Sequence, residues 1–284
     1  ERLLDAVDAV FVCTWTAAHE EAVAAAAGRG MPIFCEKPLA TNLAGARRLT
    51  ELVRSAGAVN QVGLVLRTMP ALLALREWVR DTEANGRIMN VVFRDDQFLP
   101  TQGMYASTWR GDRSLAGSGA LLEHSIHDLD ILEWLAGPIA WVSAQTAHFH
   151  DIDGIEDSVS VLARFDGHHS ATLTSVWHDV LSRPSQRRVE IFCERALLTL
   201  EGDVAGPIRR QTDDGEEVLE GDELLAWLAA RGVEVEEAED VFLRAVRTGD
   251  AATPDFDDAL RAHVLADAVY RSAAADGAPV VTRS

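Results

Sequence analysis

Three short segments of the chain hold residue types that can move a proton or steady a developing negative charge. The first, Cys13-Thr14-Trp15-Thr16-Ala17-Ala18-His19, follows an apolar β-branched run and precedes an alanine-rich one, so it falls where a strand ends and a helix begins. The second is Glu36-Lys37-Pro38, directly after the apolar run at 32–35. The third is Glu123-His124-Ser125-Ile126-His127-Asp128-Leu129-Asp130, inside a stretch of helical period. On a regular helix Glu123, His127 and Asp130 share one face at i, i+4 and i+7, beside an apolar stripe of Leu122, Ile126 and Leu129. A lysine, an imidazole and a carboxylate brought together are the equipment for taking a hydroxyl proton and stabilising the oxygen it leaves. Singly, each has a plainer reading. A strand-end lysine is usually solvated, a given tripeptide recurs by chance, and a Glu/His/Asp face commonly makes surface hydrogen bonds.

The elements that must position these residues follow from the hydrophobic pattern. Residues 8–13 read as a buried strand, and Thr16 as the cap of a helix running to about Ala27, with Gly28 and Gly30 to stop it. A second strand follows at 32–35. Thr41 precedes a helix with apolar residues at Leu43, Ala46, Leu49 and Val53 that closes at Gly57, and a third strand covers 59–66. Apolar strands separated by single helices make a parallel sheet covered on both faces, half of a doubly wound domain. Both of the first two segments then lie at the carboxyl edge of that sheet, where ligands of open α/β sheets bind.

Beyond residue 66 the pattern changes. A helix at 69–80 leads through Asn85-Gly86 to a long strand at 87–99, then to a Gly- and Ser-rich loop at 100–119 and a helix at 120–135 closed by Gly137-Pro138. Strand patterns at 140–149, 158–165, 170–177 and 188–193 follow, with Asp166-Gly167 as a hairpin turn. The acidic stretch 212–240 reads as a solvated surface, and 242–248 and 256–275 as closing helices. The fold class is thus α/β: a partial nucleotide-binding domain at 1–66, then an α+β domain at 67–284 with a mostly antiparallel sheet.

The 284 residues carry 26 Lys and Arg against 45 Asp and Glu, a formal charge of −19. That balance argues against nucleic acid as a partner, and there is no basic amphipathic segment or long apolar run for a membrane. Of the three cysteines, Cys13, Cys35 and Cys193, two sit in very apolar runs and read as core thiols. The sparse, unpaired set points to a reducing compartment such as the cytoplasm.

Together the motifs resemble the glucose–fructose oxidoreductase / inositol 2-dehydrogenase / rhizopine catabolism (Gfo/Idh/MocA) family. Its first domain has a strand ending near Thr-Pro, a nearby His and a following Glu-Lys-Pro; here these are Thr14-Trp15, His19 and Glu36-Lys37-Pro38, with Trp15 replacing the proline. Its second domain has a Gly-rich approach to Asp-x-Gly-x-His-x-x-Asp on a helix ending Trp-Leu-x-Gly. Here the approach is Gly117-Ser118-Gly119 and the motif runs from Glu123 to Asp130, ending at Trp134-Leu135-Ala136-Gly137, with Glu123 in place of the aspartate. Trp109-Arg110 matches a pair often found before it. The family's G-x-G-x-x-G fingerprint does not occur, and a first half of about 60 to 70 residues is expected to precede Glu1.

The resemblance implies hydride transfer between NAD or NADP and a secondary alcohol of a sugar, inositol or related polyol. Lys37, His127 and Glu123 would be catalytic. His127 would be the acid/base, on the strength of an ordinary imidazole pKa of about 6.5, with Lys37 steadying the alkoxide and Glu123 orienting His127 or binding a substrate hydroxyl. Alternatively Lys37 would be the base, its pKa lowered by burial or by the positive charge of the oxidised nicotinamide. Thr14, Trp15, His19, Glu36, Lys37 and Arg110 would line the cofactor, and Lys37, Trp109, Glu123 and His127 the substrate. A homodimer or homotetramer is implied as well. Two other readings stand beside this one: a metal hydrolase using His124, His127, Asp128 and Asp130, and a non-catalytic fragment or binding protein of the same fold. His148, His150, His168 and His169 read as strand or turn residues; His178, at a strand end, is unassigned.

Overall fold

The computed structural model describes residues 3–103 and 106–282; Met104 and Tyr105, within the expected Gly- and Ser-rich loop, and Glu1 lie outside them. Three short strands, β1 (Val10–Val12), β2 (Ile33–Cys35) and β3 (Asn60–Val62), form a parallel sheet in that order, with Ile33 opposite both Val10 and Asn60. Between them lie α1 (His19–Ala27), entered through a 3-10 turn at Thr16–Ala18, and α2 (Leu43–Ala56). The α2 helix begins where the Asn42 side chain accepts the Gly45 N–H, and ends at Gly57, whose φ of 63° a glycine adopts without strain. Thr16 is not a cap. It lies inside the first turn, with a buried hydroxyl that has no hydrogen-bond partner among the described residues, because the chain leaves β1 through Trp15 in an extended conformation. The third strand also stops short, at Val62: the chain turns at Leu64 into a 3-10 helix over Val65–Thr68.

The larger part begins with α3 (Pro70–Arg80), which has proline in its first turn, then α4 (Thr82–Asn85) and the long strand β4 (Ile88–Phe98). A 3-10 turn (Thr108–Gly111), α5 (Arg113–Ala116) and a π turn (Ala120–His124) lead to α6 (Ile126–Ala136). Strands β5 (Ile139–Ala147), β6 (Ser158–Phe165), β7 (Ser170–His178), β8 (Gln186–Cys193), β9 (Leu197–Leu200), β10 (Ile208–Thr212) and β11 (Gly215–Leu219) follow. Helices α7 (Gly221–Ala229), α8 (Ala238–Thr248) and α9 (Phe256–Ala274) and the short strand β12 (Val280–Val281) complete the chain. The nine strands form one sheet in the order β11-β10-β9-β8-β4-β7-β6-β5-β12, and β4–β7 is its parallel pairing.

Alternation sorts the residues of this sheet. Ala171, Leu173, Ser175 and Trp177 of β7 are buried on the face beneath α6 and α9, while Val92, Leu162 and Phe192 lie half-exposed on the other. Two expectations fail here. The acidic stretch 212–240 is not simply solvated surface. It contains β11 and α7, whose Leu219, Leu224 and Leu228 enter the main core. Nor is 120–135 one regular helix. It breaks at Ser125, where a π turn meets α6. The C-terminal helices also return to the small sheet: Phe242 of α8 packs edge-on against Phe34 at 5.8 Å, and Phe256 and Ala259 of α9 join the core formed by Val12, Ile33, Leu49 and Val62. Through its contacts with α2, α6 and β5, α9 ties the two sheets together.

Candidate active site

The two motifs, one from each half of the chain, meet at a single hydrogen bond. Lys37 leaves the carboxyl end of β2, and its Nζ donates to the Glu123 carbonyl oxygen in the π turn at 2.6 Å. Two glycines permit that approach. A Cβ on Gly117 would fall 2.5 Å from the Thr41 carbonyl oxygen, and one on Gly119 would fall 1.9 Å from that of Glu156. The loop therefore threads between the two sheets only because these positions lack side chains.

Buried charge fixes the π turn. One carboxylate oxygen of Glu156 accepts from Ser118 Oγ and the Gly119 N–H, each at 2.7 Å; the other accepts from the Leu121 N–H (2.9 Å) and Tyr270 Oη (2.8 Å). Below α6, Arg187 of β8 donates to Asp95 of β4 and to Asp128 of α6, both at 2.7 Å, and to Asp203 after β9. His124 Nε2 lies 2.7 Å from Asp95, which is wholly buried. The neighbouring arginine and imidazole hold the Asp95 carboxyl well below the usual range against its burial, whereas burial pushes Asp128 up to about 7. On the far side of α6, Asp130 takes a two-pronged bond from Arg67 at 2.6 and 2.9 Å.

His127 is 8% exposed, and its Nδ1 is buried with no hydrogen-bond partner among the described residues. Burial first, then the charges of Lys37 and Arg187, push its pKa well below 6.5. The expectation of an ordinary imidazole is corrected on this point: desolvation and the charges of Lys37 and Arg187 disfavour the imidazolium there. Glu123 does not orient His127 through its carboxylate. That group is buried and accepts from Arg110 Nε at 2.7 Å, while the Arg110 guanidinium stacks on Trp109 with 4.6 Å to the ring centroid. The break at Ser125 means that the i, i+4, i+7 residues do not act as one set: Glu123 serves Arg110 and Asp130 serves Arg67.

At the edge of the small sheet, Thr14 and Trp15 are exposed, Trp15 by 49%. Glu36 lies beside Gly63, where a Cβ would come within 2.9 Å of its carboxylate, and burial raises its pKa although Lys37 opposes the shift. His19 does not stand at the open edge. It is 1% exposed, with Nδ1 3.0 Å from the Pro38 carbonyl oxygen and Nε2 3.1 Å from that of Thr14, so it joins the turns after β2 and β1. Of the metal-hydrolase set, His124 is committed to Asp95, Asp128 to Arg187 and Asp130 to Arg67. Among the described residues no group of three or more His, Cys, Asp or Glu side chains is arranged to hold a metal.

Sequence reasoning missed Asp95, Glu156 and Arg187. A signal was present for two of them. Asp95 continues the buried alternation of Val91 and Phe93, and Arg187 that of Val189 and Ile191, so each is a charge on the core side of a strand. His178 lies 3.4 Å from Asp96, which Arg183 grips at 2.6 and 3.0 Å; His150 lies 2.7 Å from Asp157; and His169 stacks on Phe165. Cys35 and Cys193 are buried and Cys13 is exposed.

Comparison with known proteins gives this geometry its class. Residues 1–64 match the oxidoreductase family with an NAD-binding Rossmann fold, and residues 72–199 match the GFO/IDH/MocA C-terminal domain. The chain is 32% identical over 295 residues to an inositol 2-dehydrogenase of Cereibacter sphaeroides, covering 98% of this chain and 78% of the relative. Its fold matches that of a levoglucosan dehydrogenase solved with NADH and levoglucosan at a TM-score of 0.85, with 21% identity over 99% of this chain and 82% of that one. An aldose-aldose oxidoreductase from Caulobacter crescentus, solved with glycerol, matches at 0.81 with 23% identity, over 99% and 81% of the two chains. The protein is an oxidoreductase with an NAD-binding domain. It belongs to the Gfo/Idh/MocA family.

Proposed function

We propose that the protein transfers a hydride between a nicotinamide cofactor, NAD or NADP, and a secondary hydroxyl of a sugar, inositol or related polyol. The observation that carries this reading is the Lys37–Glu123 hydrogen bond of 2.6 Å, which sets the lysine of one motif beside the helix of the other. Residues 1–66 serve as the nucleotide-binding unit and 67–284 as the substrate-binding and oligomerisation unit. The donor set suits a nicotinamide: Thr14, Trp15 and Glu36 stand at the carboxyl edge of a parallel sheet, and Gly63 leaves room at the Glu36 carboxylate. When bound there, the cofactor supplies the hydride acceptor or donor.

This chain's residues do the rest. The Lys37 ammonium hydrogen-bonds the reacting oxygen and stabilises its developing negative charge. His127, its imidazolium disfavoured by burial, accepts the hydroxyl proton in the oxidative direction. Glu123 and Trp109 shape the substrate side, with Arg110 neutralising Glu123 and backing it against Trp109. His19 acts by holding the two strand-end turns together.

A homodimer or homotetramer would cover the sheet face that carries Val92, Leu162 and Phe192. Cytoplasmic residence accords with two buried free thiols; among the described residues no helix is long and apolar enough to cross a membrane. The test is absorbance at the reduced-nicotinamide band with NAD or NADP and a panel of inositols, aldoses and anhydrosugars. Turnover that disappears in both Lys37→Met and His127→Gln is expected. Turnover retained in either variant would remove that residue from the mechanism.

A further inference from the structure

The buried ions beneath α6 do more than satisfy one another. Arg187 is 7% exposed at its side chain and binds three carboxylates that come from β4, from the first turn of α6 and from the loop after β9. One of these, Asp128, directly follows His127; another, Asp95, also holds His124. A single guanidinium therefore fixes the turn that carries the proposed proton acceptor to the ends of two central strands. A planar five-donor group suits that task, and a lysine ammonium could not match its fork geometry.

We propose that Arg187 is a positioning residue for His127, holding the first turn of α6 against β4 and β8 so that the imidazole keeps one placement and one charge. The role assigned to His127 rests on the function proposed above; the placement by Arg187 does not. The charged groups acting on His127 come from several sides: Lys37 from the turn after β2, Arg187 from β8, His124 from the π turn and Asp95 from β4; Glu123 and Asp128 lie on its own segment. Of the two cations, Lys37 also engages substrate in the proposed reaction, whereas Arg187 is held by three carboxylates. Its charge disfavours an imidazolium whether or not substrate is present.

The experiment follows the His127 ring by nitrogen-15 NMR as a function of pH, without cofactor or substrate, its signal assigned by its loss in His127→Gln. In Arg187→Gln the midpoint should move up toward 6.5 by at least about half a pH unit. A folded Arg187→Gln with an unmoved midpoint overturns the proposal. Should that variant fail to fold, Asp203→Asn decides the matter, since Asp203 is the outermost of the three anchors. Leaving Arg187 less neutralised, it should move the midpoint further down, and no movement overturns the proposal equally. In turnover assays Arg187→Gln should lower kcat about tenfold while KM changes less than about threefold. A parent protein that turns nothing over would count against the proposed function and leave the ring titration as readable as before.

Discussion

The turns at the edge of the small parallel sheet and the turn that opens α6 contribute to one site, but they are built in opposite ways. At the sheet edge Thr14 and Trp15 stand in the open, and the turns are held by backbone contacts and one buried histidine, His19. Around α6 buried ions supply most of the anchoring: Glu156 takes four donors, Arg187 three carboxylates, and Asp130 the fork of Arg67. The difference is one of task. A surface that must admit and release a planar cofactor stays accessible, whereas side chains that must meet a reacting oxygen are fixed by interactions too costly to break. Lys37 belongs to the first region by sequence and to the second by its bond to Glu123.

That contrast can be broken in several places, and the expected effects fall in size. Lys37→Met removes the hydrogen bond that joins the two regions; kcat/KM should fall about a thousandfold with the far-UV dichroism unchanged, and a loss below about tenfold would show that the lysine is peripheral. Glu156→Ala strips the π turn of a buried carboxylate with four donors, and urea unfolding should show about 3 kcal/mol of lost stability. A cost under about 1 kcal/mol would mean that the turn is held by packing alone.

Acid sensitivity comes next. His263 is buried with its pKa pushed down to about 3, and His127 and His19 are lowered as well, all by desolvation first. Between pH 6.5 and those lowered values the unfolded chain takes up protons that the native state refuses. Stability should therefore fall as pH falls below 6.5, by about 1.4 kcal/mol per pH unit for each such histidine. Unfolding at pH 7.5 and 5.5 checks the sign, and His263→Gln should flatten the slope. In the same direction, oxidation should hold its rate below pH 6.5, because His127 is still an acceptor there; an acid limb centred at or above 6.5 would sink its role as base. The smallest effect belongs to the open region: Trp15→Ala should weaken reduced-cofactor binding about fivefold, seen by fluorescence, and leave the unfolding midpoint in place.

Local pattern made part of this architecture legible. The parallel βαβαβ unit, the helix closed by Gly57 and the hairpin at Asp166-Gly167 all follow from period and turn chemistry, and each forms, although β3 ends at Val62, short of its expected extent. Lys37, Glu123 and His127 could be singled out because their types and spacing are uncommon together. What remained hidden depends on distant partners. The π turn could not be read from 120–135, because it is imposed by Glu156, more than thirty residues later in the chain. The depressed pKa of His127 comes from burial and then from Lys37 and Arg187, which helical spacing cannot show. The acidic stretch 212–240 hid a strand and a helix, because its abundant charges mask the few leucines that reach the core.

The place of β4 in the large sheet has a consequence for how the chain assembles. Its neighbours are β7 and β8, at residues 170–178 and 186–193, so the central strand is made long before either partner. A ribosome that has released β4 and α6 has delivered Lys37, Glu123 and His127 with Asp95 and Asp128 still lacking their shared arginine, since Arg187 has yet to emerge. Contacts so far apart in sequence close late and slowly. The chemistry of the site is thus written early in translation, and its rigidity arrives only with the eighth strand.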